Sequence, residues 1–241
     1  NIIKKHFDIL SKSRGNWIKK SETFYSEDIR CMQEFIPEGC KVLELGCGNG
    51  HLLAALKPSY GLGIDISKGM INEAQNKYKN LNFIEADVEN TKTINKLDII
   101  FDYIVISDTI GYLNDIQIAL DNLHKVCDSD TRIIVAYYSP FWEPLLNMAA
   151  KLKMKMPELT KSLLNENDIS FLLNSSKFET VKKQKKIIFP FSFFGIGRFL
   201  NRFLACMPII SNLCIRNYVV ARSLKEIEKT LPKSASVIIP C

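Results

Sequence analysis

Apolar residues gather in short runs, and the polar stretches between them keep a helical period through the middle of the chain. Residues 41–45 form an apolar run that stops at a glycine cluster, which suits a strand buried in a parallel sheet. Residues 51–57 read as a helix that Pro58 ends. A second strand is predicted over 61–65, with Ser67 placed to cap a helix running to about residue 78. Runs at 82–86 and 102–106 predict a third and a fourth strand, 115–127 a helix, and the β-branched stretch 131–138 a fifth strand. Strands alternating with helical crossovers predict an α/β sheet wound in right-handed βαβ units.

The flanks are less regular. Residues 2–36 predict two N-terminal helices with a break over 11–16. After the core, 141–154 and 168–175 read as helices, 178–189 and 213–222 as strands, and 191–210 as an apolar segment between them. Such a tail permits an antiparallel strand at the sheet edge.

Composition narrows the class. The chain has 241 residues, 46% hydrophobic and 24% charged, which excludes a disordered, collagenous or coiled-coil protein. Its 7 cysteines form no CxxC pair and accompany only 3 histidines, so neither a metal site nor a disulfide framework is expected. A reducing, cytoplasmic setting fits that usage. The net charge of +6 divides into +2 over 1–36, −5 over 37–140 and +9 over 141–241, which suggests two functional surfaces.

The first strand runs into Glu44-Leu45-Gly46-Cys47-Gly48-Asn49-Gly50, at the start of a helix. Glycines let a backbone turn sharply and approach a ligand that a Cβ would repel, and a helix N-terminus offers unpaired N–H groups. The spacing is GxGxG with His51 next, so the dinucleotide fingerprint GxGxxG is not met, and no GKS or GKT follows for a P-loop. A tight structural turn is the alternative. Asp65 ends the second strand, where a carboxylate can accept both hydroxyl protons of a ribose; its distance from Gly46 would suit NAD equally well. Asp87 ends the third strand, where an acid can receive the amine of an adenine.

The ordered segments VLELGCGNG, GIDIS, EADVE and FDYIVISD resemble the motifs of class I S-adenosylmethionine-dependent methyltransferases, over roughly residues 20–140. That resemblance implies a Rossmann-like, doubly wound seven-stranded sheet with an antiparallel last strand and a helical insertion near the C-terminal strands. It implies that Gly46, Cys47, Gly48 and Gly50 cradle the methionine part and that Asp65 holds the ribose. Ile66 and Met70 would line the adenine, Asp87 and Val88 hold its edge, Ser107 close the pocket and Glu44 order the loop or the amino group. Members of this class often bring an N-terminal aromatic over the methionine end; Trp17 and Tyr25 are candidates, with Lys20 a carboxylate partner.

Methyl transfer from a sulfonium mainly requires alignment and exclusion of water, and a hydroxyl nucleophile also benefits from a base. Asp108, after the fourth strand, is the leading candidate to orient or deprotonate a hydroxyl, with capping of the turn at Thr109 and Ile110 as its structural alternative. Tyr112 stands where many relatives carry a histidine or aromatic. No Asn/Asp-Pro-Pro-Tyr tetrapeptide is present, so the subclass methylating nucleic-acid or protein amines is not supported. Past the fifth strand, Tyr138, Trp142 and Glu143 lie on a loop held by two prolines and could stack on and bond a polar ring such as a sugar. His51 and His124 read as a helix-face and a helical surface residue.

Four lysines over 182–186 precede a phenylalanine-rich stretch with Arg198 and Arg202, so 187–205 suits peripheral contact with a membrane interface rather than a span. Basic and aromatic residues can also serve nucleic acid, but no RNA-binding motif supports that. Residues 234–241 resemble the first strand of a family 2 glycosyltransferase, and the wider layout resembles proteins joining a class I methyltransferase to such an enzyme. The expected organisation is a methyltransferase domain over 1–223, a linker over 224–234 and the start of a glycosyltransferase domain over 235–241. The function this implies is O-methylation of a glycan, glycolipid or other small molecule. The alternatives are a non-catalytic cofactor-binding module for the fused glycosyltransferase and a quinone-type small-molecule methyltransferase.

Overall fold

A computed structural model describes residues 2–159, 162–188 and 210–225. Seven strands form one sheet: β1 (Lys41–Leu45), β2 (Tyr60–Asp65), β3 (Asn82–Glu85), β4 (Tyr103–Ser107), β5 (Arg132–Tyr138), β6 (Phe178–Lys186) and β7 (Arg216–Ser223). Their order is β3-β2-β1-β4-β5-β7-β6, with β1 to β5 parallel and β7 antiparallel to both neighbours. The fold is therefore the Rossmann-like seven-stranded sheet expected. The antiparallel strand, however, lies one place in from the edge. β6 takes the edge instead, where its exposed lysines discourage pairing with another chain.

Alternation along the buried strands sends side chains to two layers of helix. Leu43, Leu45, Ile104, Ile106 and Ile133 pack against α5 (Thr91–Asn95), α6 (Ile116–Leu123) and α8 (Glu166–Ser175) through Ile94, Leu120, Leu123, Ile169 and Leu173. On the opposite face, Val42, Val105 and Ile134 meet Met32 of α2 (Glu22–Gln33), Leu53 of α3 (His51–Ala55), and Ile71 and Ala74 of α4 (Lys68–Lys77). The Ser67 hydroxyl accepts from the Met70 N–H at 3.1 Å and starts α4 as expected, and Asp115 caps α6 in the same way. Each such cap is worth about 1 kcal/mol.

Three local expectations are corrected. The break over 11–16 does not occur, because α1 runs through it from Ile2 to Lys20 and the turn falls at Ser21. The Ser11 and Ser13 hydroxyls donate to the carbonyls of Asp8 and Leu10 at 2.8 and 2.9 Å, so both are satisfied inside the helix. The short helix α5 has no hydrophobic period long enough to predict it. His124 is not a surface residue: its ring stacks on Phe178 at 4.1 Å and bonds Ser223 Oγ and the Ser176 carbonyl, both at 2.7 Å. The helix predicted over 141–154 is shorter: α7 (Glu143–Lys151) follows a 3₁₀ turn at Pro140–Trp142.

Candidate cofactor and acceptor site

The sheet order reverses between β1 and β4, and a deep cavity opens at the carboxyl ends of these strands. The glycine loop forms one wall. Gly46 has a φ of +72°, and a Cβ there would lie 1.9 Å from Thr109 Oγ1, so the loops after β1 and β4 meet only because this residue is glycine. Gly46, Cys47 and Gly48 line the cavity. Gly50 does not: it starts α3 with a φ of +74°, and its missing Cβ makes room for Phe83 of β3, 2.6 Å away.

Asp65 fixes the opposite wall to this loop. Its two oxygens accept from Gly48 N and Ser67 N, both at 2.8 Å, tying the glycine loop to the start of α4. Burial pushes its carboxyl up from the ordinary value despite those donors. Asp87 accepts from Glu89 N at 2.9 Å beside the buried Val88, and with Ile66 and Met70 they border the same cavity. Glu44 is 3% exposed and accepts from Leu53 N at 3.1 Å. Burial, aided by the charge of Asp65, raises its carboxyl from 4.5 to about 8.

That shift gives stability a definite pH dependence. The folded chain keeps the Glu44 proton up to about pH 8, whereas the unfolded chain releases it near 4.5. The stabilisation is therefore complete below the lower value and is lost as pH rises towards the upper one. Thermal melts of the ligand-free protein should fall across this window more steeply for the wild type than for Glu44→Gln. Parallel curves would rule the assignment out.

Beyond β4, Ser107, Asp108 and Tyr112 reach the cavity. Asp108 has a φ of +58°, and its carboxylate pairs with Arg216 Nη1 rather than capping the turn. Arg216 is completely buried. It also donates to Ser107 Oγ at 2.7 Å and to Asp28 Oδ1 at 3.0 Å, and the Tyr218 hydroxyl donates to the same Asp28 oxygen at 2.5 Å. One cation thus joins α2, the β4 loop and β7 behind the cavity wall. Tyr112 packs edge-on to Phe7 of α1 with ring centres 5.5 Å apart, and burial pushes its hydroxyl up.

The N-terminal helices contribute differently from expectation. Tyr25 lines the cavity, but Trp17 does not, and Lys20 sits 5.5 Å from the Trp17 ring and bonds the Lys153 carbonyl. The residue in their place is Arg14, which donates to Tyr25 Oη at 3.1 Å. No carboxylate among the described residues lies within ion-pair distance of Arg14. His51, with Tyr25 across from its ring at 6.2 Å, also lines the cavity, and burial lowers its pKa.

The loop after β5 is split. Tyr138 borders the cavity and stacks on Phe24 at 5.5 Å. Trp142 turns away, donating Nε1–H to the Leu213 carbonyl at 3.0 Å in a cluster with Phe24, Ile187 and Ile215. Glu143 accepts from Asn147 Nδ2 at 3.2 Å and faces a small side pocket shared with Asp108 and Tyr138.

A family model described as a methyltransferase domain matches residues 36–188, more than half of the chain. The chain belongs to this methyltransferase-domain family. Among curated relatives, a ubiquinone/menaquinone biosynthesis C-methyltransferase of Campylobacter jejuni is 29% identical over 119 residues, 46% of this chain and 49% of that protein. A trans-aconitate 2-methyltransferase of Escherichia coli is 39% identical over 64 residues, 25% of each chain. The chain thus spans half or less of the length of these relatives. A SAM-dependent methyltransferase from Thermotoga maritima shares the fold with a TM-score of 0.66 and 14% identity, covering 91% of this chain and 99% of that one. Magnesium protoporphyrin IX methyltransferase from Synechocystis PCC 6803, solved with bound SAH, gives 0.62 and 17%, covering 92% and 99%.

Proposed function

We propose that this chain is an S-adenosylmethionine-dependent methyltransferase that methylates a small-molecule acceptor. The observation that carries the proposal is that the glycine loop, Asp65, Asp87 and the guanidinium of Arg14, which has no acid partner among the described residues, converge on one cavity. S-adenosylmethionine supplies a methyl group on a positively charged sulfur, already activated for in-line displacement. The residues fit it: Asp65 is assigned to the ribose, Asp87 and Val88 to the adenine edge, and Ile66 and Met70 to the adenine face. Gly46, Cys47 and Gly48 are assigned to the methionine backbone, Glu44 to its ammonium and Arg14, in place of Lys20, to its carboxylate. Tyr25 closes over that end, and Ser107 helps shape the pocket.

Asp108 orients the acceptor. Its place in an ion pair with Arg216 suits accepting a hydrogen bond from a substrate hydroxyl. Tyr112 and Tyr138 exclude water and shape the acceptor end. O-methylation of a glycolipid or other hydroxyl-bearing small molecule is the preferred reading, although Trp142 and Glu143 are outside the main cavity and do not support a sugar-stacking role. Methylation of a quinone ring is the second reading. It is favoured by the matching Campylobacter segment and by the apolar side chains Ile3, Phe7, Leu113 and Met156 on the cavity wall.

Radiolabelled methyl transfer to fractionated lipid, glycan and quinone-precursor pools tests all three possibilities. Label in a hydroxyl-bearing fraction supports the first, and label on a quinone ring the second. S-adenosylmethionine binding without turnover on any pool would leave the non-catalytic module standing. The glycosyltransferase reading falls on residues 235–241, outside the described residues, and rests on its sequence resemblance alone. Membrane contact through 187–205 also lies mostly outside them. Of the lysines before it, Lys183 and Lys185 pair with Glu166 at 3.2 and 3.4 Å and Lys186 with Glu34 at 3.3 Å, which diverts them from a lipid surface.

A further inference from the structure

Helix α1 has two sides of opposite character. Ile3, Phe7 and Arg14 recur at helical spacing and line the cavity. On the other side, Ile2, Lys5, Ile9, Lys12, Asn16 and Lys19 follow one another every three or four residues, and all are exposed. Ile2 and Ile9 are 77% and 80% exposed. The helix's one acid, Asp8, points elsewhere, accepting from Ser67 Oγ at 2.6 Å and Gly69 N at 2.8 Å.

The region around α7 repeats this arrangement. Phe141, Leu145, Met148 and Leu152 lie on one helical stripe, are 67%, 46%, 52% and 63% exposed, and are flanked by exposed Lys151 and Lys153. None of the residues of α7 is buried. The segment that follows crosses back over α1: His6 Nε2 lies 3.2 Å from the Pro157 carbonyl, and Arg14 reaches Met156 Sδ at 3.5 Å. Met156 then borders the cavity, so α1 and the segment that follows α7 wall it, while the outer sides of α1 and α7 carry lysines and large apolar side chains.

An apolar surface of this kind on a soluble chain needs a cover. Its charge indicates which. Lys5, Lys12, Lys19, Lys151 and Lys153 form no ion pair among the described residues, and neither outer face carries an exposed acid. We propose that the outer faces of α1 and α7 form a docking surface for an anionic lipid bilayer, with the lysines at the headgroups and the apolar stripe in the interface. Docking in this way sets the cavity wall against the membrane. It does not depend on methyl transfer, because vesicle binding is read without a methyl donor.

The test is flotation of the whole chain with phosphatidylcholine vesicles and with vesicles containing about a third phosphatidylglycerol. Binding to the anionic vesicles should exceed binding to neutral ones about tenfold or more at low salt and weaken as salt is added. Lys5→Glu with Lys12→Glu should reduce it about tenfold or more. Leu145→Ser with Met148→Ser should reduce it comparably, and calorimetry should show S-adenosylmethionine affinity unchanged in both variants. Absence of anionic-vesicle binding overturns the proposal. So does loss in only one variant, or undiminished binding in both, which would move the contact elsewhere in the chain. A concentration-dependent dimer that Leu145→Ser with Met148→Ser abolishes would also overturn it, assigning the apolar stripe to a second copy.

Discussion

Replacing Arg216 with methionine should lower the free energy of unfolding by about 3–5 kcal/mol, the cost of removing one partner from a buried ion pair. Arg216 is fully buried and Asp28 is 5% exposed, so water cannot replace the lost cation at Asp28. The Asp108 side chain is 33% exposed and is relieved more easily, which places most of the penalty on Asp28. Two further bonds are affected together. Ser107 Oγ loses its donor, and the Tyr218 hydroxyl is left on an uncompensated carboxylate. Urea unfolding at neutral pH measures the loss. Combining Arg216→Met with Asp28→Asn should recover part of it, because the second change removes the stranded charge. A loss below about 1 kcal/mol, in the range of exposed pairs, would show that the cluster is not a dry one.

This cluster also marks the limit of what the sequence made legible. Asp28 and Arg216 stand 188 positions apart, and no periodicity relates them. Arg216 heads a strand that is buried along nearly its whole length, and a charge there was the available sign that something opposite must neutralise it. By contrast, the parallel strands and the glycine loop were readable because their signals are local. A buried run, a left-handed glycine and an acid at a strand end each occupy a few adjacent residues. Asp65, Asp87, Glu44 and Ser107 reach the cavity for that reason. Trp142 illustrates the opposite case. Its position after β5 placed it near the ligand face, but its direction is decided by the Leu213 carbonyl on a distant segment. Arg14 was hidden behind the expected break in α1, since a helix continuing through serines carries it over the cavity. Long-range partners chose those orientations, and a single sequence does not display them.

Asp65→Asn should weaken S-adenosylmethionine binding by about 2–4 kcal/mol, roughly 30- to 1,000-fold, while leaving the protein folded. Both carboxylate oxygens are committed, one to Gly48 N and the other to Ser67 N at 2.8 Å. An asparagine keeps one acceptor and turns an NH₂ group towards the other N–H. One of the two anchors is therefore lost, and either the glycine loop or the start of α4 is released from the cavity wall. A charge-assisted hydrogen bond is worth about 1.5–3 kcal/mol, and the ribose contact assigned to the same oxygens is weakened besides. Asp87→Asn should cost less, about tenfold, because the bond its carboxylate accepts is local, from Glu89 N two residues on. Calorimetric titration of S-adenosylmethionine into each variant gives the ranking, and circular dichroism of the ligand-free proteins checks the fold. Binding by Asp65→Asn within threefold of wild type would remove Asp65 from the ribose site and, with it, the placement of the cofactor along β1 and β2.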